Sequence, residues 1–129
     1  MKAQARDRRK HQRHAVAIEV QVQTVSAGHA SRPLCLDGVI VDLTEGGLRL
    51  IVFKMSKQDY LQMMNETRLP YVQIFCTFPG QPFPTRLFGK ITYVDFRDVQ
   101  PESCCQMGVR FGRMEIHDMK QLDAFIGSL

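Results

Sequence analysis

The sequence predicts an all-β domain with a C-terminal helix, built as a small antiparallel barrel. Three observations support this prediction. Short segments of alternating apolar and polar residues recur along the chain, and turn residues separate these segments. Apolar residues recur at helical spacing over several turns only at the C-terminus. The length of 129 residues fits one domain. Several strands at short intervals, followed by an amphipathic helix, favour a barrel with the helix over one end.

The first half of the chain predicts three strands. Apolar residues alternate strictly with Glu19, Gln21 and Gln23, which is typical of a strand with one buried face. A polar loop over residues 26–33 follows, and the later turn 44–47 contains two adjacent glycines that permit a tight turn. These features place the strands at residues 16–22, 34–42 and 48–53.

The second half predicts three more strands between two helices. Ser56 and Asp59 have the spacing of a capping box, so a short helix should follow, and Pro70 limits its length. The next strands are expected at residues 71–78, 85–96 and 105–111. Apolar residues then recur at helical spacing before a stop at Gly127, namely Ile116, Met119, Leu122, Phe125 and Ile126.

The positive charge of the chain is concentrated at its N-terminus. The whole chain has a net charge of +4, whereas residues 1–14 carry six basic side chains and one acidic side chain, a net charge of +5. The remaining residues therefore have a net charge of −1. Such a block is either a solvated tail or an arm that meets an anion. We divide the chain into a flexible basic arm, residues 1–14, and a barrel with its helix, residues 15–129.

Composition and motifs argue against several classes of protein. The four cysteines form no CxxC pair and the histidines show no zinc-ligand spacing, so we expect a reducing compartment and no metal. No apolar run approaches about 20 residues and no apolar segment follows the basic N-terminus, so neither a membrane span nor a signal peptide is predicted. No nucleophile–base or paired-carboxylate arrangement can be recognised. The prediction is a cytoplasmic protein that is not an enzyme and has no cofactor.

Two short patterns carry the chemistry. Arg9 and Arg13 are four residues apart, so their guanidinium groups can converge on phosphate oxygens or on the N7/O6 edge of a guanine. Asp42 leaves a strand at a turn, where its carboxylate can accept from ring N–H and amino groups. Thr44 adds a hydroxyl and Gly47 allows a close backbone approach. Taken alone, the first pattern also fits a solvated arm and the second an ordinary hairpin turn.

Together, the two patterns resemble the signature of the PilZ domain family. That signature is RxxxR, followed further along the chain by Asp or Asn, any residue, Ser or Ala, any two residues and Gly. Here Arg9 to Arg13 matches the first part, and the run from Asp42 through Thr44 to Gly47 matches the second. Threonine stands where the family usually has serine or alanine, which keeps the hydroxyl and adds a methyl group.

The resemblance covers nearly the whole chain and implies both a fold and a ligand. Residues 89–93 and 108–111, with the helix that follows, look like the closing part of the family's domain. The implied fold is a six-stranded antiparallel split β-barrel, and the implied ligand is the bacterial second messenger cyclic di-GMP. By this resemblance, Arg9 and Arg13 would hold a phosphate and the Hoogsteen edge of a guanine, and Arg8 would add a contact.

The same resemblance gives roles to the turn and to the arm. Asp42 and Thr44 would meet the base and a phosphate from the barrel surface, while Gly47 keeps the turn open. Family members bind one ligand molecule or a stacked pair, and Arg8, directly before the RxxxR motif, favours the pair. The arm is expected to fold over the ligand, so that binding moves the N-terminus and signals to an unidentified downstream protein.

Two other functions are compatible with the sequence. A basic arm on a small barrel can track the phosphates of a nucleic acid, although the rest of the chain has a net charge of −1 and shows no exposed aromatic ladder. A ligand-blind PilZ-type module would only dock proteins, and Met55, Met63 and Met64 could give it an adaptable surface. The intact arginines of the arm favour the cyclic di-GMP receptor.

Overall fold

The computed structural model describes residues 12–25, 33–64, 71–97 and 103–129, which form a closed barrel and two helices. The elements are β1 (His14–Val25), β2 (Cys35–Leu43), β3 (Gly47–Phe53), α1 (Lys57–Met64), β4 (Tyr71–Cys76), β5 (Thr85–Arg97), β6 (Cys104–Phe111) and α2 (Ile116–Gly127). Around the barrel the strands follow the order β1-β2-β3-β6-β5-β4, and every neighbouring pair is antiparallel. Within these ranges no helix is long and apolar enough to cross a membrane. The predicted six-stranded barrel with a C-terminal helix is confirmed.

The strands alternate as predicted, because one face of each strand lines the interior of the barrel. In β1, Ile18, Val20 and Val22 are at most 5% exposed, and the polar residues between them point outward. Each such side chain contributes about 1.5–3 kcal/mol by leaving water. The barrel is therefore held mainly by an apolar interior to which all strands contribute, among whose largest members are Ile40, Leu50, Ile74, Leu87 and Met107.

Helix α1 begins where the capping pattern predicts. Asp59 N donates to Ser56 Oγ over 3.0 Å, which satisfies one of the free amides of the first turn. The methionines around this helix do not form one exposed surface, since Met55 and Met63 are buried and Met64 is 43% exposed. Most of their flexible side-chain area therefore fills the core, which leaves little of it for docking another protein.

Helix α2 packs on the barrel through the C-terminal part of its apolar face. The rings of Phe125 and Phe78 stack with centroids 4.8 Å apart, and Leu122 is buried beside them. Ile116 and Met119, which the helical spacing assigned to the same face, are 68% and 42% exposed. The prediction that Ile116 and Met119 share the buried face of the helix is therefore wrong. Polar contacts fix the first turn of the helix instead.

Those polar contacts attach α2 to the start of β5. Arg86 N donates to Asp118 Oδ1 over 3.0 Å, and Gln121 Nε2 donates to Pro84 O and to Thr85 Oγ1 over 3.1 and 3.0 Å. Asp118 thus takes the buried position in the first turn of the helix. The two apolar residues of that turn consequently face solvent.

Three register irregularities lie toward one end of the barrel. They occur in β1 at residues 15–18, in β2 at residues 40–42 and in β5 at residues 91–93. A bulge bends its strand and re-aims the side chain that follows it. Two of the re-aimed residues, Asp42 and Tyr93, line the same pocket.

The four cysteines are free thiols in different environments. Cys76 and Cys105 are buried, Cys104 is half-buried and Cys35 is exposed. Burial raises the pKa of the Cys76 thiol from 9.0 to about 12, and the Asp118 carboxylate acts in the same direction. Burial likewise raises the pKa of the Cys105 thiol from 9.0 to about 12.

We expect Cys35 to be the first thiol to react with a disulfide dye in the folded protein, and Cys76 and Cys105 to react only after unfolding. The thiolate is the reactive species, and the raised pKa keeps both buried thiols protonated. Counting modified thiols before and after addition of urea checks this, and Cys35→Ser should remove the fast phase. A fast phase of unchanged amplitude in that variant would contradict the assignment.

The same thiols predict a loss of stability at alkaline pH. In the unfolded chain they ionise near the ordinary pKa of 9.0, whereas in the folded chain they stay protonated up to about 12. The free energy of unfolding should therefore fall as pH rises from about 9 to about 12. Urea titrations at a series of pH values across this range measure the free energy of unfolding.

Candidate functional site

A pocket of about 240 Å³ opens where β2 and β3 turn and where β5 and β6 pass beside them. Four of the predicted ligand-binding residues line it, namely Arg13, Asp42, Thr44 and Gly47. We call this site the β2–β3 pocket. Its lining also includes Arg49, Thr92, Tyr93, Gly108 and Arg110. The two remaining predicted residues, Arg8 and Arg9, lie outside the described residues.

The side chain of Thr44 holds the turn between β2 and β3. Thr44 Oγ1 accepts from Gly46 N and Gly47 N over 3.1 and 3.0 Å and donates to Gly47 O over 3.1 Å. A hydroxyl has one donor and two acceptor positions, so this hydroxyl is fully used within the turn. The predicted contact between Thr44 and a ligand stays a prediction, and it would have to replace one of these bonds.

Strand β6 fixes the same turn from the other side. Phe111 N donates to Gly46 O over 2.9 Å, and Thr44 N donates to Gly47 O over 2.9 Å. The turn is therefore bonded both within itself and to the neighbouring strand. This wall of the pocket is set before any ligand arrives.

Asp42 already has a partner inside the pocket. Arg49 Nη2 donates to Asp42 Oδ2 over 2.8 Å, and the two residues pair across β2 and β3. The Asp42 side chain is 16% exposed and that of Arg49 is 42% exposed, so the guanidinium lies nearer to solvent. Arg49 Nε is buried and has no hydrogen-bond partner among the described residues. The guanidinium of Arg49 is thus only partly satisfied by this single bond.

Two glycines let the pocket walls approach each other closely. A Cβ on Gly47 would lie 2.3 Å from Val109 O, so no side chain fits between β3 and β6 at this point. A Cβ on Gly108 would lie 2.2 Å from the Tyr93 ring, so the missing side chain lets that ring lie against β6. Gly47 is thus required by strand packing, and its predicted role of keeping the turn open for a ligand stays a prediction.

Gly47→Ala is expected to lower the free energy of unfolding by about 2–3 kcal/mol, because the new Cβ would push two backbones apart. The matched control is Gly127→Ala, where an added Cβ meets nothing within 4 Å. That control sits in a helix, where alanine is the better residue, so its stability should stay the same or rise slightly. Urea denaturation measures the free energy of unfolding of both variants. Equal values would contradict the close approach of Gly47 to the Val109 backbone.

The pocket combines positive charge with one aromatic ring. Among the described lining residues, Arg13, Arg49 and Arg110 bring three guanidinium groups, against the single carboxylate of Asp42. Tyr93 is 41% exposed and offers the face of its ring. Guanidinium forks suit phosphate oxygens and purine edges, and an aromatic ring suits a stacked base. This chemistry fits a ligand with phosphates, flat bases and polar base edges.

Arg49, Tyr93 and Arg110 line the pocket although the sequence motifs do not single them out. Arg49 had a readable signal, because Leu48 and Leu50 beside it face the core and a residue between them must face outward. The other two residues reach the pocket only through the pairing of β6 with β3 and β5. Such long-range pairing cannot be read from local alternation.

One group of possible metal ligands occurs among the described residues, at the start of α2. Glu115, His117 and Asp118 lie within reach of one another. His117 Nδ1 lies 3.5 Å from Glu115 Oε2, and its Nε2 lies 3.3 Å from Asp118 Oδ1. The imidazole thus lies close to a different carboxylate with each nitrogen, and all three residues belong to the start of the same helix. None of these residues lines the β2–β3 pocket.

Comparison with known proteins identifies the family. The family model described as PilZ domain matches residues 7–128. No curated protein sequence matches the chain. The family assignment therefore rests on the family model, which spans the arm motif, the turn motif and the C-terminal helix.

Solved structures share the fold at low sequence identity. The PilZ domain of YcgR from Escherichia coli, with c-di-GMP, has a TM-score of 0.57 at 18% identity over 95% of this chain and 91% of that chain. The PilZ domain of CeSA from a cellulose-synthesizing bacterium has a TM-score of 0.54 at 18% identity over 91% of this chain and 97% of that chain. The Bacillus subtilis inhibitor of motility MotI has a TM-score of 0.58 at 10% identity over 94% of this chain, which spans only 50% of that longer chain. With the match of the family model to nearly its whole length, this chain belongs to the PilZ domain family.

Proposed function

We propose that this chain is a receptor for cyclic di-GMP, without catalytic activity of its own, and that the ligand binds in the β2–β3 pocket. The observation that carries the proposal is the convergence of two distant motifs on one pocket. Arg13 from the arm motif and Asp42 from the turn motif both line it. Family membership supports the same ligand, since the PilZ domain of YcgR was solved with c-di-GMP.

Each group of the pocket has a role that follows from its chemistry. The ligand carries two phosphates and two guanines, and the forks of Arg13 and Arg110 suit a phosphate or the N7/O6 edge of a guanine. Tyr93 offers a stacking face for one base. Asp42 can accept from the N–H groups of the other guanine edge once Arg49 turns toward a phosphate. Thr44 acts by holding the turn, as its three hydrogen bonds indicate.

The size of the pocket supports a role for the arm. Sites for small molecules usually measure about 300–1,000 Å³, and the described walls enclose only about 240 Å³. A dinucleotide would therefore extend beyond these walls. Arg8 and Arg9 precede Arg13 by only a few residues, and Arg13 lines the pocket, so the arm can supply further contacts. We infer that the arm completes the site, and that its change of position on binding is read by a downstream protein.

Calorimetric titration of cyclic di-GMP into the wild-type chain tests the proposal, with cyclic di-AMP as the matched control ligand. Guanine presents two acceptors, N7 and O6, to an arginine fork, whereas adenine presents one acceptor and one donor. Saturable heat is expected for cyclic di-GMP, with much weaker or no heat for cyclic di-AMP. The stoichiometry distinguishes a single ligand molecule from the stacked pair that Arg8 favours.

Two outcomes of this titration would overturn the proposal. Absence of heat in a sample shown to be folded would favour a ligand-blind docking module. Equal binding of both dinucleotides would show that the guanine edge is not recognised. Repeating the titration at raised salt separates out nucleic-acid binding, because neutralising many phosphates makes affinity fall steeply with salt, whereas two phosphates give a modest dependence.

A further inference from the structure

The outer face of two neighbouring strands, β4 and β5, carries aromatic and basic residues in matched rows. Every second residue of both strands is buried in the barrel, so the residues between them face outward. Three cross-strand pairs form the rows, namely Phe75 with Arg86, Gln73 with Phe88, and Tyr71 with Lys90. Because successive rows are two residues apart along each strand, they are separated by about 7 Å. We call these six residues the β4–β5 face.

Three aromatic rings lie side by side on this face. Tyr71 is 40% exposed and Phe75 is 38% exposed. The half-buried ring of Phe88 stacks on that of Tyr71, with centroids 5.4 Å apart and planes inclined by 6°. Contiguous apolar surface of this kind marks interaction sites, whereas single exposed apolar residues do not. The rings come together through the pairing of β4 with β5, which is why the sequence alone shows no aromatic ladder.

The charges of the face are positive. Arg86 and Lys90 stand at its two ends, four residues apart on β5, which corresponds to about 14 Å. Lys90 also pairs with Arg110 of β6, so positive charge continues onto the next strand. Arg86 makes an exposed contact of 3.5 Å with Glu115. An ion pair in solvent holds a side chain only weakly, so this guanidinium can turn to another anion.

Uncharged residues continue the face on its other side. Strand β1 pairs with β4 there, and its outward residues are Gln21, Gln23 and Val25. Each glutamine amide offers two donors and one acceptor oxygen, as the middle row of the face does through Gln73. The surface around the rings therefore combines cations and amides without a carboxylate in any of these rows.

We propose that the β4–β5 face binds single-stranded nucleic acid, with bases stacked on the rings and phosphates held by Arg86 and Lys90. Every base has a flat face that can stack on an exposed aromatic ring, and basic side chains beside the rings neutralise the phosphates. Each end row joins one ring to one cation, which suits the base and the phosphate of one nucleotide. The amide of Gln73 in the middle row can bond a base edge.

Single-stranded nucleic acid fits this surface better than other anions do. An acidic peptide would pair with the two cations and leave the rings without a stacking partner. A duplex keeps its bases stacked on one another, so it too would use only the charges. Sheets that recognise single-stranded RNA stack about two or three bases on their aromatic residues, and the three rows of this face suit that number.

The β4–β5 face is separate from the β2–β3 pocket. None of its six residues lines the pocket, although the neighbouring Arg110 does. Substitutions on the face can therefore be studied without changing the pocket, provided that Arg110 is kept. The inference consequently does not depend on the identity of the ligand that the pocket binds.

Fluorescence anisotropy at low salt tests the proposal with a labelled thymidine oligodeoxynucleotide of about 12 nucleotides, a length within the range for small barrels. We expect saturable binding by the wild-type chain. A duplex of the same length and polyglutamate should bind roughly tenfold more weakly or less, because neither can stack a base on the rings. An oligouridylate of the same length shows whether RNA or DNA is preferred, and binding of either supports the proposal.

Substitutions assign the binding to the face. Tyr71→Ala and Phe75→Ala should each lower the affinity roughly 5- to 100-fold, the range for loss of one stacked base. Phe75→Tyr keeps a ring and should restore the wild-type affinity. Arg86→Gln and Lys90→Gln should each reduce the slope of log affinity against log salt by about 0.7, the value for one phosphate of a single strand.

Controls outside the face keep the test decisive. Leu61→Ala removes an apolar side chain of α1 that is 50% exposed, and Arg97→Gln removes a positive charge elsewhere on β5. Both variants should bind as the wild type does, and thermal unfolding shows that every variant is folded. Absence of binding by the folded wild-type chain would overturn the proposal. Equal affinity for the duplex or for polyglutamate would also overturn it, and so would wild-type affinity in the alanine variants, which would assign the binding to the basic arm.

Discussion

Replacing Arg13 with alanine is expected to weaken the binding of cyclic di-GMP by roughly 10- to 100-fold, since a hydrogen bond to a charged group is worth about 1.5–3 kcal/mol. Arg13 is the arginine of the arm motif that the structure places on the wall of the β2–β3 pocket. Its side chain is exposed and forms no ion pair with any residue that the structure describes. The substitution should therefore remove affinity and leave the thermal unfolding of the unliganded protein unchanged.

Two further variants separate geometry from charge. Arg13→Lys keeps the charge but loses the planar fork, so it should retain only part of the affinity. Arg97→Ala removes one positive charge from β5 outside the pocket and should bind as the wild type does. Calorimetric titration of all three variants gives the comparison. An Arg13→Ala variant with wild-type affinity would exclude the pocket as the site that this arginine serves.

Phe78→Ala is expected to lower the free energy of unfolding by about 3–5 kcal/mol, the largest stability effect of any substitution considered. Phe78 is 0% exposed and is among the largest side chains of the core. Its ring stacks on Phe125 of α2 with centroids 4.8 Å apart. The substitution would therefore leave a cavity and also remove the aromatic stack that joins the barrel to its helix.

The control for this variant is Phe83→Ala in the neighbouring turn. Phe83 is 66% exposed, so its loss should change stability by no more than about 0.5 kcal/mol. Urea denaturation followed by circular dichroism measures both. Similar stabilities of the two variants would show that α2 does not depend on the contact between Phe78 and Phe125.

The architecture could be read from the sequence because local patterns determine most of it. Strict alternation marked the buried faces of the strands, as Ile18, Val20 and Val22 illustrate. The Ser56 cap placed the start of α1 within one residue. Helix α2 shows where local patterns fail, since Asp118 gains a hydrogen bond to Arg86 N and takes a buried position. Helical spacing cannot predict such a contact with a distant strand.

The candidate site could be read only in part, for a related reason. Two short motifs, far apart in the sequence, pointed to Arg13 and Asp42, and the fold brings both residues to one pocket. Tyr93 and Arg110 join them through strand pairings that depend on the closure of the barrel. The pairing of Asp42 with Arg49 likewise follows from the register of β2 and β3. A site formed by residues of several strands can be recognised only when the register between those strands is known.

Binding of cyclic di-GMP in the β2–β3 pocket can be mapped by NMR, from the amide chemical shifts of the labelled protein as the dinucleotide is added. We expect saturable shifts at the walls of the β2–β3 pocket, namely at the amides of Thr44, Gly46, Gly47, Gly108 and Arg110. The amides of Gln21 and Phe75, on the opposite part of the barrel, should stay in place at constant protein concentration. Shifts confined to residues outside the pocket, or no shifts at high ligand concentration, would contradict binding at this site.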